Sequence, residues 1–229
     1  MTLTHCVIIP DGNRRWARAQ GLMPWEGHRK SVERFRELIP RAFERGISYL
    51  TIWVASEDNL TGRSREEVAV LVELITDELE RMNIDDSLIK NETRVRIIGR
   101  WDDILRNEKL RGSVVKIEGK TRHFSKRNFT ILFGYDGVNE MLEAINKLKS
   151  SKREITNEIL KNILWTGELP NVDLVIRTGG EPHWSAGFMM WHTANSQFYF
   201  TETLCPDFGV DEFDKALEDY SSRERRFGK

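Results

Sequence analysis

The chain has 229 residues, 39% of them hydrophobic, enough for one sizeable core, and 35 basic against 36 acidic side chains leave a formal net charge of -1. That balance excludes a globally basic nucleic-acid binder, and with no apolar run of bilayer length and no signal-peptide pattern, a soluble cytoplasmic chain is expected. Cys6 and Cys205 lack metal-ligand spacing and offer no disulfide framework, so both are expected as buried thiols.

The apolar run Cys6 to Ile9 predicts a strand, followed by the polar loop Pro10-Asp11-Gly12-Asn13-Arg14-Arg15-Trp16. A carboxylate, a glycine and guanidinium groups after a strand suit an anion and metal site; the same residues also serve as a helix cap with a turn. His28 to Arg45 has helical spacing with Pro40 inside it as a potential kink and Gly46 as a stop. His28 falls where that helix is expected to begin, a position that suits a capping or surface histidine as well as a catalytic one. Ile47 to Ala55 reads as a buried strand that runs into a second polar loop, Ser56-Glu57-Asp58-Asn59.

Ser64 to Met82 predicts a helix with a Ser64/Glu67 capping box. Its Val68, Leu71, Val72, Ile75 and Leu79 face is core or the wall of an apolar tunnel. Strands follow at Thr93 to Ile98 and Asn128 to Phe133, separated by a helical region, Asp102 to His123, that is irregular around Gly112. Helices at Gly137 to Leu148 and Thr156 to Leu164 flank the polar connection Lys149 to Arg153, which is too short for a domain boundary. Val172 to Ile176 predicts a strand that delivers Arg177 into Thr178-Gly179-Gly180-Glu181. Phe188 to Trp191 and Phe198 to Phe200 read as buried apolar segments near the sheet edge, before a helix at Asp211 to Tyr220 and a basic tail, Arg223 to Gly228.

The alternation predicts an α/β fold with a mainly parallel central sheet flanked by helices, residues 1–229 forming one domain. Ligands bind at the carboxyl edge of such sheets, where the Asp11, Ser56 to Asn59 and Arg177 loops should converge. Arginine forks, glycines and a carboxylate there suit a phosphorylated substrate with magnesium. Neither a P-loop nor a dinucleotide-binding glycine pattern is present.

His5-Cys6-Val7-Ile8-Ile9-Pro10-Asp11-Gly12-Asn13-Arg14-Arg15-Trp16-Ala17, Gly27-His28, Ser56-Glu57-Asp58-Asn59, Asp173 to Glu181, Phe198-Tyr199-Phe200-Thr201, Pro206-Asp207-Phe208 and Arg223 to Gly228 occur in the order of a known set of signatures. In these the chain resembles the cis-prenyltransferases, the undecaprenyl and dehydrodolichyl diphosphate synthases, from His5 almost to its end. The resemblance implies a magnesium-dependent transferase acting on prenyl diphosphates, usually dimeric, with an apolar tunnel between sheet and helices and compatible with peripheral membrane contact. It implies that Asp11 assists departure of the metal-bound diphosphate, that Gly12 to Arg15 grip it, and that His28 and Asn59 assist ionisation and proton removal. Trp16, Ser56 and Arg63 are carried over as substrate-binding positions, and Arg177 and Ser185 as the site for the second substrate's diphosphate.

The chain departs from the family pattern mostly on that second side. His183 and Trp184 stand where an arginine belongs, one residue is inserted before Phe188, and Gln197 replaces a glutamate that shares the metal, an amide being a weaker magnesium ligand than a carboxylate. Pro24 occupies a place often basic in the family, and one extra residue precedes Arg63. The altered half implies that the second substrate is bound differently, by His183, Trp184 and a reshaped loop. Condensation with isopentenyl diphosphate and irregular coupling of two allylic diphosphates are both open. The alternative, a non-catalytic partner subunit, is disfavoured by the presence of Asp11.

Overall fold

The computed structural model describes residues 2–149 and 154–223. Six parallel strands form one sheet in the order β3-β4-β2-β1-β5-β6: β1 (His5–Ile9), β2 (Tyr49–Ala55), β3 (Thr93–Ile98), β4 (Arg127–Phe133), β5 (Leu174–Arg177) and β6 (Gln197–Phe200). The helices are α1 (Asn13–Ala19), α2 (Pro24–Glu44), α3 (Glu57–Gly62), α4 (Arg65–Ile84), α5 (Ser87–Lys90), α6 (Trp101–Leu105), α7 (Glu108–Thr121), α8 (Gly137–Leu148), α9 (Asn157–Ile163) and α10 (Val210–Ser222), with a 3-10 turn at Cys205–Asp207.

Strand β1 is buried on both sides, which is why it reads as an unbroken apolar run. Alternation along it feeds two cores. Cys6 and Ile8 join Leu38 of α2, Leu79 of α4, Ile117 of α7 and Phe213 of α10, whereas Val7 and Ile9 join Trp53, Tyr135 and Phe188 on the other face. Near its end β2 shifts register against β4 between Trp53 and Ala55, an irregularity of the kind that re-aims side chains beside sites.

Several elements differ from expectation. α2 begins at Pro24, whose fixed φ suits a first helical position, so His28 lies in the second turn and is buried. Pro40 leaves α2 a single uninterrupted helix, and Gly46 and Ile47 close it by donating to Phe43 O and Ala42 O. Ser56 to Asn59 is not a loop: Ser56 caps α3, its Oγ accepting from Asn59 N at 3.0 Å while Asn59 Oδ1 accepts from Ser56 N at 3.3 Å. The region Asp102 to His123 breaks at Arg106, left-handed at φ 47°, and not at Gly112, which lies inside α7.

Phe188 is buried as expected, but Phe198 is half-buried and Phe200 exposed, because β6 is an edge strand. The helix expected at Asp211 to Tyr220 is α10, one residue longer at its start and two at its end. Both cysteines are buried and free. Beyond Lys149 the polar connection, and beyond Arg223 the basic tail, lie outside the described residues. Among the described residues, no helix is long and apolar enough to cross a membrane.

Candidate active site

Asp11 leaves β1 at the carboxyl edge of the sheet and meets Arg177, which leaves β5 next door. Arg177 Nη2 donates to Asp11 Oδ2 at 2.8 Å, and Gly12 N donates to Asp11 Oδ1 at 2.6 Å. Arg15 Nη2 stands 3.4 Å from the same Oδ1. Thr178 Oγ1 accepts from Asp11 N, and Cys205 N donates to Asp11 O, so the loop is pinned from two distant segments, Arg177-Thr178 and Cys205. Gly12 adopts φ 97°, the left-handed conformation that turns the strand into α1, and a Cβ there would meet the side chain of Leu204. Gly179, at φ 90°, lets the Arg177 loop approach until a Cβ would lie 2.7 Å from Arg15 Nη2.

Arg177 is buried and also donates from Nη1 to Ser185 Oγ at 2.8 Å and to His183 O at 3.0 Å. His183 Nε2 lies 2.8 Å from Ser185 Oγ and its Nδ1 is 3.6 Å from Glu181. Glu181 in turn reaches Arg177 and Arg15. Trp184 does not join this group; half its surface is exposed, and its indole N–H donates to Phe188 O at 2.7 Å. The residue inserted before Phe188 appears as a strained turn, with Ala186 at φ 46°, Gly187 at φ 56° and Met189 at φ 42°.

On the opposite side of Asp11, His28 is buried with Nε2 at 3.3 Å from both Glu67 Oε1 and Arg63 Nη1. Burial lowers the pKa of His28, Arg63 and Arg14 add to the effect, and Glu67 opposes it. Glu67 is held below the usual carboxylate range, first by His28 and then by Arg63 and Arg14, against its own desolvation. Both shifts act in favour of a neutral imidazole beside an ionised carboxylate. The sequence shows Glu67 as half of a capping box; Ser64 Oγ does accept from Glu67 N, but the side chain turns into the site and pairs with Arg63 at 3.2 Å. A glutamate one turn beyond an arginine is a weak sequence signal, and nothing else along the chain pointed to its burial.

Asn13, Ser56, Asn59 and Arg63 line the space between these groups. With Oδ1 committed to Ser56 N, Asn59 has its amide NH2 left to offer. Trp16 points elsewhere, its indole donating to Asp207 at 2.9 Å and tying α1 to the 3-10 turn. Gln197 is not brought beside Asp11 within this chain. It pairs with Leu174 at the amino end of β6, whereas Phe200 pairs with Arg177, and its Oε1 is 3.4 Å from Arg223 Nη1.

Three cavities meet at this edge. One of about 260 Å³ is lined by Asp11 to Arg15, Arg18, His28 and Arg63, and one of about 360 Å³ by Asp11, Ser56, Asn59, Arg63, Arg177 and Ser185 among others. The third, about 90 Å³, lies under the sheet between α2 and α4, with walls such as Phe35, Ile39, Leu71 and Ile75. Pro10, Asn13 and His28 border all three. Of the expected tunnel face of α4, Leu71 and Ile75 line this cavity, and Val72 and Leu79 are core.

Among the described residues, no group of three or more carboxylates, histidines or cysteines is assembled for a metal. Asp11 nonetheless fits magnesium, because this ion commonly takes one or two protein carboxylates and completes its shell with water and substrate phosphate oxygens. The Asp11 carboxylate is partly exposed beside both polar cavities.

A family model described as putative undecaprenyl diphosphate synthase matches residues 9–228. An isoprenyl transferase of Aquifex pyrophilus is 40% identical, covering 98% of this chain and 95% of that protein. One from Thermus thermophilus is 37% identical over 98% of this chain and 88% of its own length. Among solved structures, lavandulyl diphosphate synthase from Lavandula x intermedia, in complex with dimethylallyl diphosphate, superposes with a TM-score of 0.91 at 30% identity, covering 99% of this chain and 98% of that one. A probable undecaprenyl diphosphate synthase from Campylobacter jejuni gives a TM-score of 0.80 at 26% identity over the full length of both.

Proposed function

Since the chain belongs to the undecaprenyl diphosphate synthase family of cis-prenyltransferases and is a prenyltransferase, we propose that it joins an allylic prenyl diphosphate to a second isoprenoid diphosphate at the Asp11–Arg177 edge. The supporting observation is the junction at Pro10, Asn13 and His28, where two charged cavities meet an apolar one. A molecule with an anionic head and an apolar tail fits that shape.

In this reading the allylic C–O bond breaks and its electron pair leaves with the diphosphate. The second substrate's double bond then forms the new C–C bond, and a proton is lost. Backbone N–H groups of Asn13 to Arg15, which have no acceptor within α1, and the Arg14, Arg15 and Arg63 guanidiniums receive the departing charge. Asp11 would hold magnesium, which when bound would supply further neutralisation of that charge. Burial lowers the His28 pKa, which favours the neutral state a proton acceptor needs, and Glu67 and Arg63 contact its ring. Arg177, Ser185 and His183 form the cradle for the second diphosphate.

Irregular coupling of two allylic diphosphates is favoured over condensation with isopentenyl diphosphate. His183 replaces a guanidinium, Trp184 turns outward, and the inserted turn at Ala186 to Met189 reshapes the cradle. The similar lavandulyl diphosphate synthase was seen with dimethylallyl diphosphate. A homodimer is supported by exposed Val138, Leu142, Trp184 and Phe200, with Val138 bordering the turn at Gly187. The intact Asp11 cluster weighs against a non-catalytic subunit.

The test is turnover of dimethylallyl diphosphate alone and with isopentenyl diphosphate, with magnesium and with a chelator. Branched products from the allylic substrate alone are expected. Strict dependence on isopentenyl diphosphate with linear products would remove the irregular reading, and no consumption of either would remove the enzyme reading.

A further inference from the structure

The apolar cavity runs from His28 down between α2 and α4, and in its deeper half the gap between the two helices is bridged by charge. Glu78 of α4 receives Arg36 Nε of α2 at 3.0 Å through Oε1, and Arg36 Nη2 closes on the same oxygen. Arg81 Nε donates to Glu78 Oε2 at 3.0 Å, so one carboxylate is held from both sides. Glu78 is 13% exposed, and the two guanidiniums are 48% and 42% exposed, which places the carboxylate inward and the arginines toward solvent. All three line the cavity alongside Phe35, Ile39, Ile75 and Met82. Charge facing an otherwise apolar wall needs a reason, since a hydrophobic trio would seal the same gap without desolvating a carboxylate.

We propose that the Arg36–Glu78–Arg81 clasp sets the length of the apolar tail that this site accepts and limits it to a short one. The inference rests on the prenyl diphosphate reading of the same site and adds the substrate's size. The cavity, about 90 Å³, is smaller than the ~150 Å³ void that takes up benzene, so it holds roughly one five-carbon isoprenoid unit. A longer tail must part α2 from α4, and the clasp resists this because opening it takes Arg36 from Glu78 and leaves that carboxylate facing hydrocarbon with Arg81 of its own helix as its remaining partner.

The test compares binding of non-hydrolysable thiolodiphosphate analogues carrying five-carbon and fifteen-carbon tails, with magnesium present, in wild-type protein and in Glu78→Ala and Glu78→Gln. Wild type is expected to favour the short analogue by about tenfold or more, the scale on which apolar pockets discriminate by size. Glu78→Ala should erase most of that preference, and Glu78→Gln, which keeps the shape and lowers the charge, should erase less. Product analysis with the natural diphosphates should show longer chains for Glu78→Ala. Equal binding of both analogues by wild type, or an unchanged preference in variants whose thermal unfolding shows them folded, overturns the clasp. Binding of neither analogue overturns the diphosphate reading, and the clasp with it.

Discussion

Arg177 Nη2 meets Asp11 Oδ2 at 2.8 Å, joining residues 166 positions apart, and the guanidinium is nearly inaccessible while the carboxylate faces the cavity. Replacing the carboxylate therefore has two effects. Asp11→Ala should lower turnover by at least ~10²-fold, the usual cost of losing one charge-stabilising group in an active site. It should also destabilise the fold by about 1–3 kcal/mol, because Arg177 loses a partner in a buried place. Steady-state kinetics with a thermal melt separate the two; full activity in a folded variant would refute the role of Asp11.

Arg177→Lys keeps the charge and loses the fork that reaches Asp11, Ser185 and the His183 carbonyl together. The expected result is a KM for the second substrate raised roughly 10-fold or more, with KM for the allylic substrate moving far less. Equal effects on both would mean that Arg177 serves the site as a whole.

Glu67 touches His28 and Arg63 from a buried position. Glu67→Gln should lower the His28 pKa further, since the carboxylate is what opposes its fall. Any acid limb of kcat/KM that belongs to His28 lies below pH 6.5 and should move to still lower pH in the variant. A limb that stays in place or moves upward would assign it to another group.

Burial lowers the pKa of His5 and of His192 to about 4. An unfolded chain binds these protons below pH 6.5, the folded chain only near 4, so stability is full above 6.5 and falls as pH drops through that window. Each histidine carries on the order of 3 kcal/mol of this loss, and the raised carboxyls of Glu118 and Glu140 act in the opposite sense. Melting temperatures between pH 7 and 4.5 should decline, and His192→Asn should flatten the decline; an unchanged slope would contradict the assignment.

Strand periodicity makes the parallel sheet legible, and the edge rule brings Asp11 and Arg177 together, as the structure does. The Ser56 to Asn59 segment was missed as a helix because a capping box and a polar loop share the same residues. The irregularity expected around Gly112 falls instead at Arg106, an arginine in the left-handed region, a conformation that its residue type does not announce. Glu67 stayed out of view because its role depends on α2 and α4 lying side by side, a tertiary fact. Trp184 and Gln197 stand out in the sequence as departures from the family pattern, but where each points is set by the inserted turn and by strand register, which the residue types do not encode.

The Asp11 loop is held by Arg177, Thr178 and Cys205, and β1 lies between β2 and β5. During synthesis the first strand emerges with one neighbour soon to follow and the other more than a hundred and sixty residues away. Until β5 arrives, β1 has an open edge and its loop has no anchor, so this centre is among the last parts to assemble. Parallel pairing over such separations is slow and leaves strand edges exposed to misassociation. The nascent chain thus carries the Asp11 carboxylate without its Arg177 partner until the segments that hold its loop have themselves been made.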